Sequence, residues 1–347
     1  MKIYSPTGIL EQCDDWHHLS RLNFWLPGYT YRQQFTINHT DDGAQTNYQM
    51  KLAIVKGIGT TSAGTLYLQN LALNYPYDFR ITKSDGLTLL DNWREEYDTT
   101  DGTWWIEFDS IPAHPNNGTF YVYWGKTSDT DASNGDNTFP IFDHFDGTLT
   151  DDWIVDAGYA AVASSIMTIT GGAAVWKGII NKTSIGKSTW ALRAYNKFAT
   201  DPKYAICGVG TASPICNNIH HTIIVEWEGG SAKQLQTKDA TTSSAVDTNF
   251  TTNAYKTHDL IVIGNTNARL LENGVERTNS PKTTNPPNST TQYVSLIGAT
   301  AATCIQCDWV LVRNYTLNEP TWGTWGVLES AVMTNIISGL IMIGGRH

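Results

Sequence analysis

Charge is sparse in this chain and is nowhere gathered into a basic cluster: charged residues make up 16% of its 347 positions, and the formal net charge is −10. Residues 1–140 alone hold 17 acidic against 9 basic residues. An acidic surface without a basic patch repels a polyanion, which excludes nucleic acid as a partner. Long apolar runs are lacking too. The run "IISGLIMI" near the C-terminus is far shorter than the roughly 20 residues a bilayer-spanning helix needs, so no membrane span is expected. The opening "MKIYSPTGILEQCDDW" has neither a continuous apolar core nor a small-residue cleavage site, and does not read as a signal peptide.

Cysteine is scarce and odd in number, with five copies. Cys304-x-x-Cys307 is half of a zinc or redox motif whose second half is missing. Cys207 and Cys216 flank the turn-rich "GVGTASPI" and read either as a disulfide, in an oxidising compartment, or as buried thiols.

What is present favours strands and turns: abundant Gly, Thr, Asn and Ser, and 13 tryptophans. "YRQQFTI" (31–37) and "YQMKLAIV" (48–55) alternate apolar and polar positions at period two. "TFYVYWG" (119–125) is a third strong strand, and "SDG" and "PNNG" supply hairpin turns. The composition shifts at "GKTSDTDASNGDNTFP" (125–140), which marks a domain boundary. Strand-like runs then recur from "IMTIT" (166–170) to "CDWVLVRNY" (307–315). The pattern predicts an all-β chain of two antiparallel β-sandwich domains: an extension (1–24), a first sandwich (25–138), a jelly roll (139–326) and an apolar tail (327–347). The tail reads as an assembly segment, implying a homo-oligomer or larger assembly. Six N-x-S/T sequons, at Asn38, Asn117, Asn181, Asn249, Asn288 and Asn314, suit an outward-facing protein.

The stretches "YTYRQQFTINHT", "YDFRITKSDGLTLLDNWREE", "WWIEFDSIP" and "FYVYWGKTSDTDASNG" resemble, in order, a family known only as a domain of unknown function. That family stands directly ahead of concanavalin A-like lectin/glucanase domains in archaeal and bacterial surface proteins. The entry "FPIFDHFDGTLTDDW" (139–153) and the exit "CDWVLVRNYTLNEPTW" (307–322) are similar to such a domain. The resemblance implies a jelly roll of the laminin G-like or lectin sort and no established activity.

Glucanases of this fold carry E-x-D-x-x-E on one strand face, with the two working carboxyls about 5 Å apart for retention. The nearest match is "VEWEGG", with Glu226 and Glu228; the middle Asp and the third carboxylate are missing. Concanavalin A-like domains often hold calcium where first and last strands meet, and Asp143 or Asp146 with Asp308 would supply carboxylate ligands for a structural ion. Trp176, Trp190, Tyr195, Tyr204 and Trp227 are the candidates for stacking on sugar rings, against a competing role in the core. The His17-His18 and His220-His221 pairs lack metal spacing.

Together these readings predict a non-enzymatic structural or adhesive surface protein, with a virion (fibre, spike, decoration or capsid-associated subunit) favoured over a cell surface, binding a glycan or glycoprotein surface. A glycoside hydrolase or lyase on the same jelly roll is the alternative, and a ligand-free structural subunit the third reading.

Overall fold

The computed structural model describes residues 25–173, 175–199, 204–211, 221–227, 232–239, 242–286 and 289–331. Two antiparallel β-sandwiches are built from them, with only two four-residue helical turns, Gly135–Thr138 and Leu149–Asp152. No helix among the described residues is long and apolar enough to cross a membrane.

The first sandwich faces two four-stranded sheets. One has the order Thr321–Ser330, Tyr31–Asn38, Gly118–Trp124, Arg80–Thr82. The other runs Thr65–Tyr67, Gln45–Val55, Asp101–Ile111, Asn92–Tyr97. The period-two pattern sends Phe35 and Ile37 inward to meet Tyr48, Met50, Leu52 and Ile54, with Trp104, Ile106 and Phe108 beside them. Each such side chain contributes about 1.5–3 kcal/mol by leaving water.

The second unit is the jelly roll. A seven-stranded sheet has the order Ser243–Asp247, Ala232–Lys238, His221–Trp227, Tyr204–Gly210, Tyr293–Gly298, Lys177–Asn181, Trp153–Val155. Its partner sheet runs Ala160–Ala163, Ile166–Thr170, Thr303–Asn314, Trp190–Phe198, Lys256–Ile263, Asn267–Glu272, Val275–Glu276, and Ile141–Asp143 adds an eighth strand beside Thr303–Asn314. Leu192, Ala194, Leu260, Val262, Val310 and Val312 face Ala205, Cys207, Val209, Ile224, Val294 and Leu296 across the core.

The domain boundaries differ from expectation at the C-terminal side. Thr321–Ser330 does not belong to the jelly roll: it pairs antiparallel with Tyr31–Asn38, from Tyr31 opposite Ser330 to Asn38 opposite Thr321. The jelly roll is therefore inserted in the first sandwich, which the chain re-enters to complete. Trp322 and Trp325 account for the return, because both pack on Phe35, at ring distances of 5.4 and 5.0 Å. Residues 327–330, read as the start of an apolar tail, are strand. The remainder of that tail, and with it the assembly expectation, lies outside the described residues.

The outer face of the eight-stranded sheet packs against the sheet containing Gln45–Val55. Trp93 and Trp105 meet Phe139, Trp309 and Leu311 there, with Trp93 edge-on to Trp309 at 5.2 Å. Gln49 crosses the junction, accepting from the Asn314 amide at 3.0 Å and donating to Thr138 O at 2.8 Å.

Candidate functional site: the cleft between the sandwiches

Beside that contact the two domains leave a cleft of about 560 Å³, within the 300–1,000 Å³ typical of ligand sites. Strand alternation fills it. Leu52 and Trp104 point into the first core, so Lys51 and Trp105 point out of it. On the jelly roll, Leu192, Leu260 and Val312 point in, leaving Arg193, Asp259 and Arg313 to face the cleft. Tyr315, Glu319 and Trp322 close one wall.

A charge network fixes the floor. Arg193 donates through Nη1 to Asp259 at 2.5 Å and through Nη2 to Glu95 at 2.8 Å. Glu95 also meets Lys51 Nζ at 3.2 Å and accepts from Trp105 Nε1 at 2.6 Å. The Trp105 ring has three cations around it: Lys51 at 5.3 Å, Arg313 at 5.5 Å and Arg193 at 5.9 Å. Arg313 in turn pairs with Glu319 at 2.5 Å, and Tyr48 Oη donates to the same carboxylate at 2.8 Å.

Burial pushes the Glu95 carboxyl up, but Arg193 and Lys51 outweigh it and hold it below the ordinary glutamate range. Burial lowers the Lys51 ammonium, and the Arg193 charge lowers it further. Glu95 is thus not arranged as a proton donor. The network suits holding a polar, uncharged ligand: opposite charges are already paired, and Tyr315 and Trp322 are half-buried aromatic surfaces beside them.

The residues chosen from the sequence sit elsewhere. Trp190 is a core residue, 1% exposed and bonded through Nε1 to Gln292, so it offers no sugar platform. Tyr195 stacks on Trp309 at the domain junction, whereas Trp176 lies on the outer face of the other sheet against Ile206, Ile223, Val225 and Ile297. The backbones of Tyr204 and Trp227 are opposite each other in register, and Glu226 stands between Ala205 and Lys233. The side chains of those three, and all of Glu228, lie outside the described residues.

The calcium candidates are divided. Asp143 and Asp146 line a small crevice with Asp136, Asp151 and Asp152, while Asp308 faces His144 at 3.6 Å. The Asp143 carboxylate accepts from Phe145 N and Trp153 Nε1, both at 2.5 Å. Burial nevertheless raises its pKa. Among the described residues the three do not form a group of close donors; such a group occurs only at His39, Asp41 and His114. Cys207 is a free thiol in the core, pushed up to about 12 by burial; Cys216, the other half of the candidate disulfide, lies outside the described residues.

Sequence reading missed the cleft residues. The available signal was a charge at an alternate position of an otherwise apolar strand: Arg193 in "WALRAY", Asp259 in "HDLIVI", Arg313 in "WVLVRN". Such a charge is tolerated only where a partner faces it.

A family model described as "Domain of unknown function (DUF2341)" matches residues 76–156, ending inside the jelly roll. No curated protein matches the chain. Among solved structures the chain is similar to a Bacillus licheniformis β-glucanase, at 11% identity and TM-score 0.40, covering 50% of this chain and 98% of that one. It is also similar to a prokaryotic β-1,3-1,4-glucanase (lichenase) derived from a mouse hindgut metagenome, at 10% identity and TM-score 0.39, covering 50% and 99%. A β-agarase A in complex with oligoagarose follows, at 12% identity and TM-score 0.39, covering 50% and 90%. The expectation of a non-enzymatic adhesive virion subunit finds no counterpart among these three neighbours, which are two glucanases and an agarase, and it is not carried forward. Residues 76–156 match the family of unknown function, and the half of the chain that aligns with the glucanases shares no more than a fold with them.

Proposed function

We propose that this chain is a carbohydrate-active protein that engages an uncharged glycan in the cleft between its sandwiches and belongs with glycan-cleaving proteins. The observation that carries the reading is the cleft itself, in which half-buried aromatic rings stand beside charged groups that are already paired. Pyranose rings stack their C–H faces on such rings, while carboxylates and guanidinium groups take the hydroxyls. Glu95 and Asp259 are both paired with Arg193 and serve binding. The carboxylates to test for cleavage are Glu226 and Glu228, the jelly roll's nearest approach to the glucanase pattern; Glu226 stands on the seven-stranded sheet and not in the cleft, so cleavage is an activity separate from binding in the cleft.

The test uses the whole chain in native gels cast with β-1,3-1,4-glucan or agarose, alongside assay of released reducing ends. Retardation by one glycan, weakened about tenfold (about 1.4 kcal/mol) by Tyr315→Ala, supports the cleft. Reducing ends abolished by Glu226→Gln or Glu228→Gln support cleavage. Absence of retardation on every neutral glycan tried overturns the cleft reading, and retardation without reducing ends overturns the assignment to glycan-cleaving proteins.

A further inference from the structure

Two turns of the first sandwich bring imidazole and carboxylate donors together, away from the cleft. A parallel bridge between Thr40 and Ala113 clamps the exit of Tyr31–Asn38 to the exit of Asp101–Ile111. His39 and Asp41 flank one end of that bridge and His114 follows the other. One ligand atom from each of the three lies within 4.8 Å of the others. The His39 and His114 rings meet edge to face at 4.5 Å.

The orientation of the His39 ring follows from its neighbour. The His39 backbone amide donates to an Asn117 side-chain atom at 3.3 Å, which must therefore be the oxygen, and ring Nδ1 lies 3.0 Å from the same atom. Nδ1 is thus the donor to that oxygen, which leaves Nε2 as the ring nitrogen for a ligand. This is the outer hydrogen bond that orients a metal-binding histidine. Of the two adjacent aspartates, Asp42 is occupied by Thr316 and Asn318. Asp41 and the ring nitrogens of His114 take no hydrogen bond from the described residues.

We propose that His39, Asp41 and His114 bind a divalent transition metal of the zinc kind. Two imidazoles and one carboxylate suit zinc, nickel or copper, whereas calcium and magnesium prefer all-oxygen sites. Donors bound at about 2.0–2.1 Å to a tetrahedral ion lie roughly 3.4 Å apart, and water completes the set. Asp41 and His114 are exposed, which leaves their side chains room to rotate toward an ion. The ion would tie together the turns at one end of the sandwich.

The experiment titrates zinc into the untagged, chelator-stripped chain by calorimetry, with bound metal counted by mass spectrometry. His17, His18, His220 and His347 also offer imidazoles, so the comparison between variants decides. His114→Ala should remove one zinc per chain or weaken that site at least tenfold, with unchanged circular dichroism. His144→Ala, an imidazole elsewhere, should bind as the parent does, and excess calcium should not compete. Zinc should raise the melting temperature of the parent and not of the His39→Ala/His114→Ala variant. Equal stoichiometry and affinity in parent and double variant, or no zinc bound by the parent, overturns the proposal.

Discussion

Arg193 of the jelly roll and Glu95 of the first sandwich meet at 2.8 Å, with side chains only 9% and 6% exposed. The same guanidinium holds Asp259, so one cation bridges two carboxylates drawn from different domains. Arg193→Met leaves both carboxylates facing a buried junction without that cation. The expected cost is about 3–5 kcal/mol, because an uncompensated buried charge is dearer than the pair itself. Scanning calorimetry should show the drop, and adding Glu95→Leu and Asp259→Leu should recover much of it. An Arg193→Met chain as stable as the parent would mean that the network contributes nothing to the junction.

Acid stability has a histidine component. His221 is buried, and neither ring nitrogen meets a hydrogen-bond partner among the described residues. Burial, with the Lys238 charge second, lowers its pKa to about 4. The unfolded chain binds that proton near the ordinary value of about 6.5. A depressed folded pKa means that the stability is complete above about 6.5 and is lost as pH falls towards about 4. Urea unfolding of His221→Phe should show a shallower slope across that window than the parent.

Glu272 acts in the next window down. Burial raises its pKa, but the nearby His258 ring, 3.6 Å away, and two bonds from Thr251, at 2.6 and 2.7 Å, bring it to about 2. Its contribution is therefore intact above the ordinary glutamate value of about 4.3 and disappears as pH falls to about 2. Glu272→Gln should flatten the stability profile there and leave the His221 window unchanged.

Much of the architecture was legible because it is periodic. Tyr48, Met50, Leu52 and Ile54 announce both a strand and its buried face, and the same holds for Leu192 and Ala194. The stretch "YDFRITKSDGLTLLDNW" shows where legibility ends. Its Asp78 is fully buried and accepts from the backbone amides of Leu73 and Gly125, while Arg80 pairs with Asp129. Sequence spacing cannot reveal partners that are distant in the chain. The cleft was hidden for the same reason, since Glu95, Arg193 and Asp259 come from three separate segments.

The last strand was misassigned because its pattern is broken. "TWGTWGVLES" places tryptophans three apart, and register shifts against Tyr31–Asn38 between Gln33 and Phe35, and between Phe35 and Ile37, bring both onto one face. Trp322 and Trp325 stack at 5.8 Å and donate to Lys51 O and Ala63 O, each at 2.9 Å. Glu329 pairs with Arg32, itself 1% exposed. A fragment of residues 25–138 therefore lacks an edge strand, a cover for Phe35 and the partner of a buried cation. It should be unfolded or aggregate, and a peptide of residues 319–331 added in trans should restore a cooperative melting transition and strand circular dichroism. The Trp322→Ala/Trp325→Ala peptide should fail, at a cost of about 3 kcal/mol or more for the lost aromatic packing. A 25–138 fragment that melts cooperatively without the peptide would show that the returning strand is dispensable to the first sandwich.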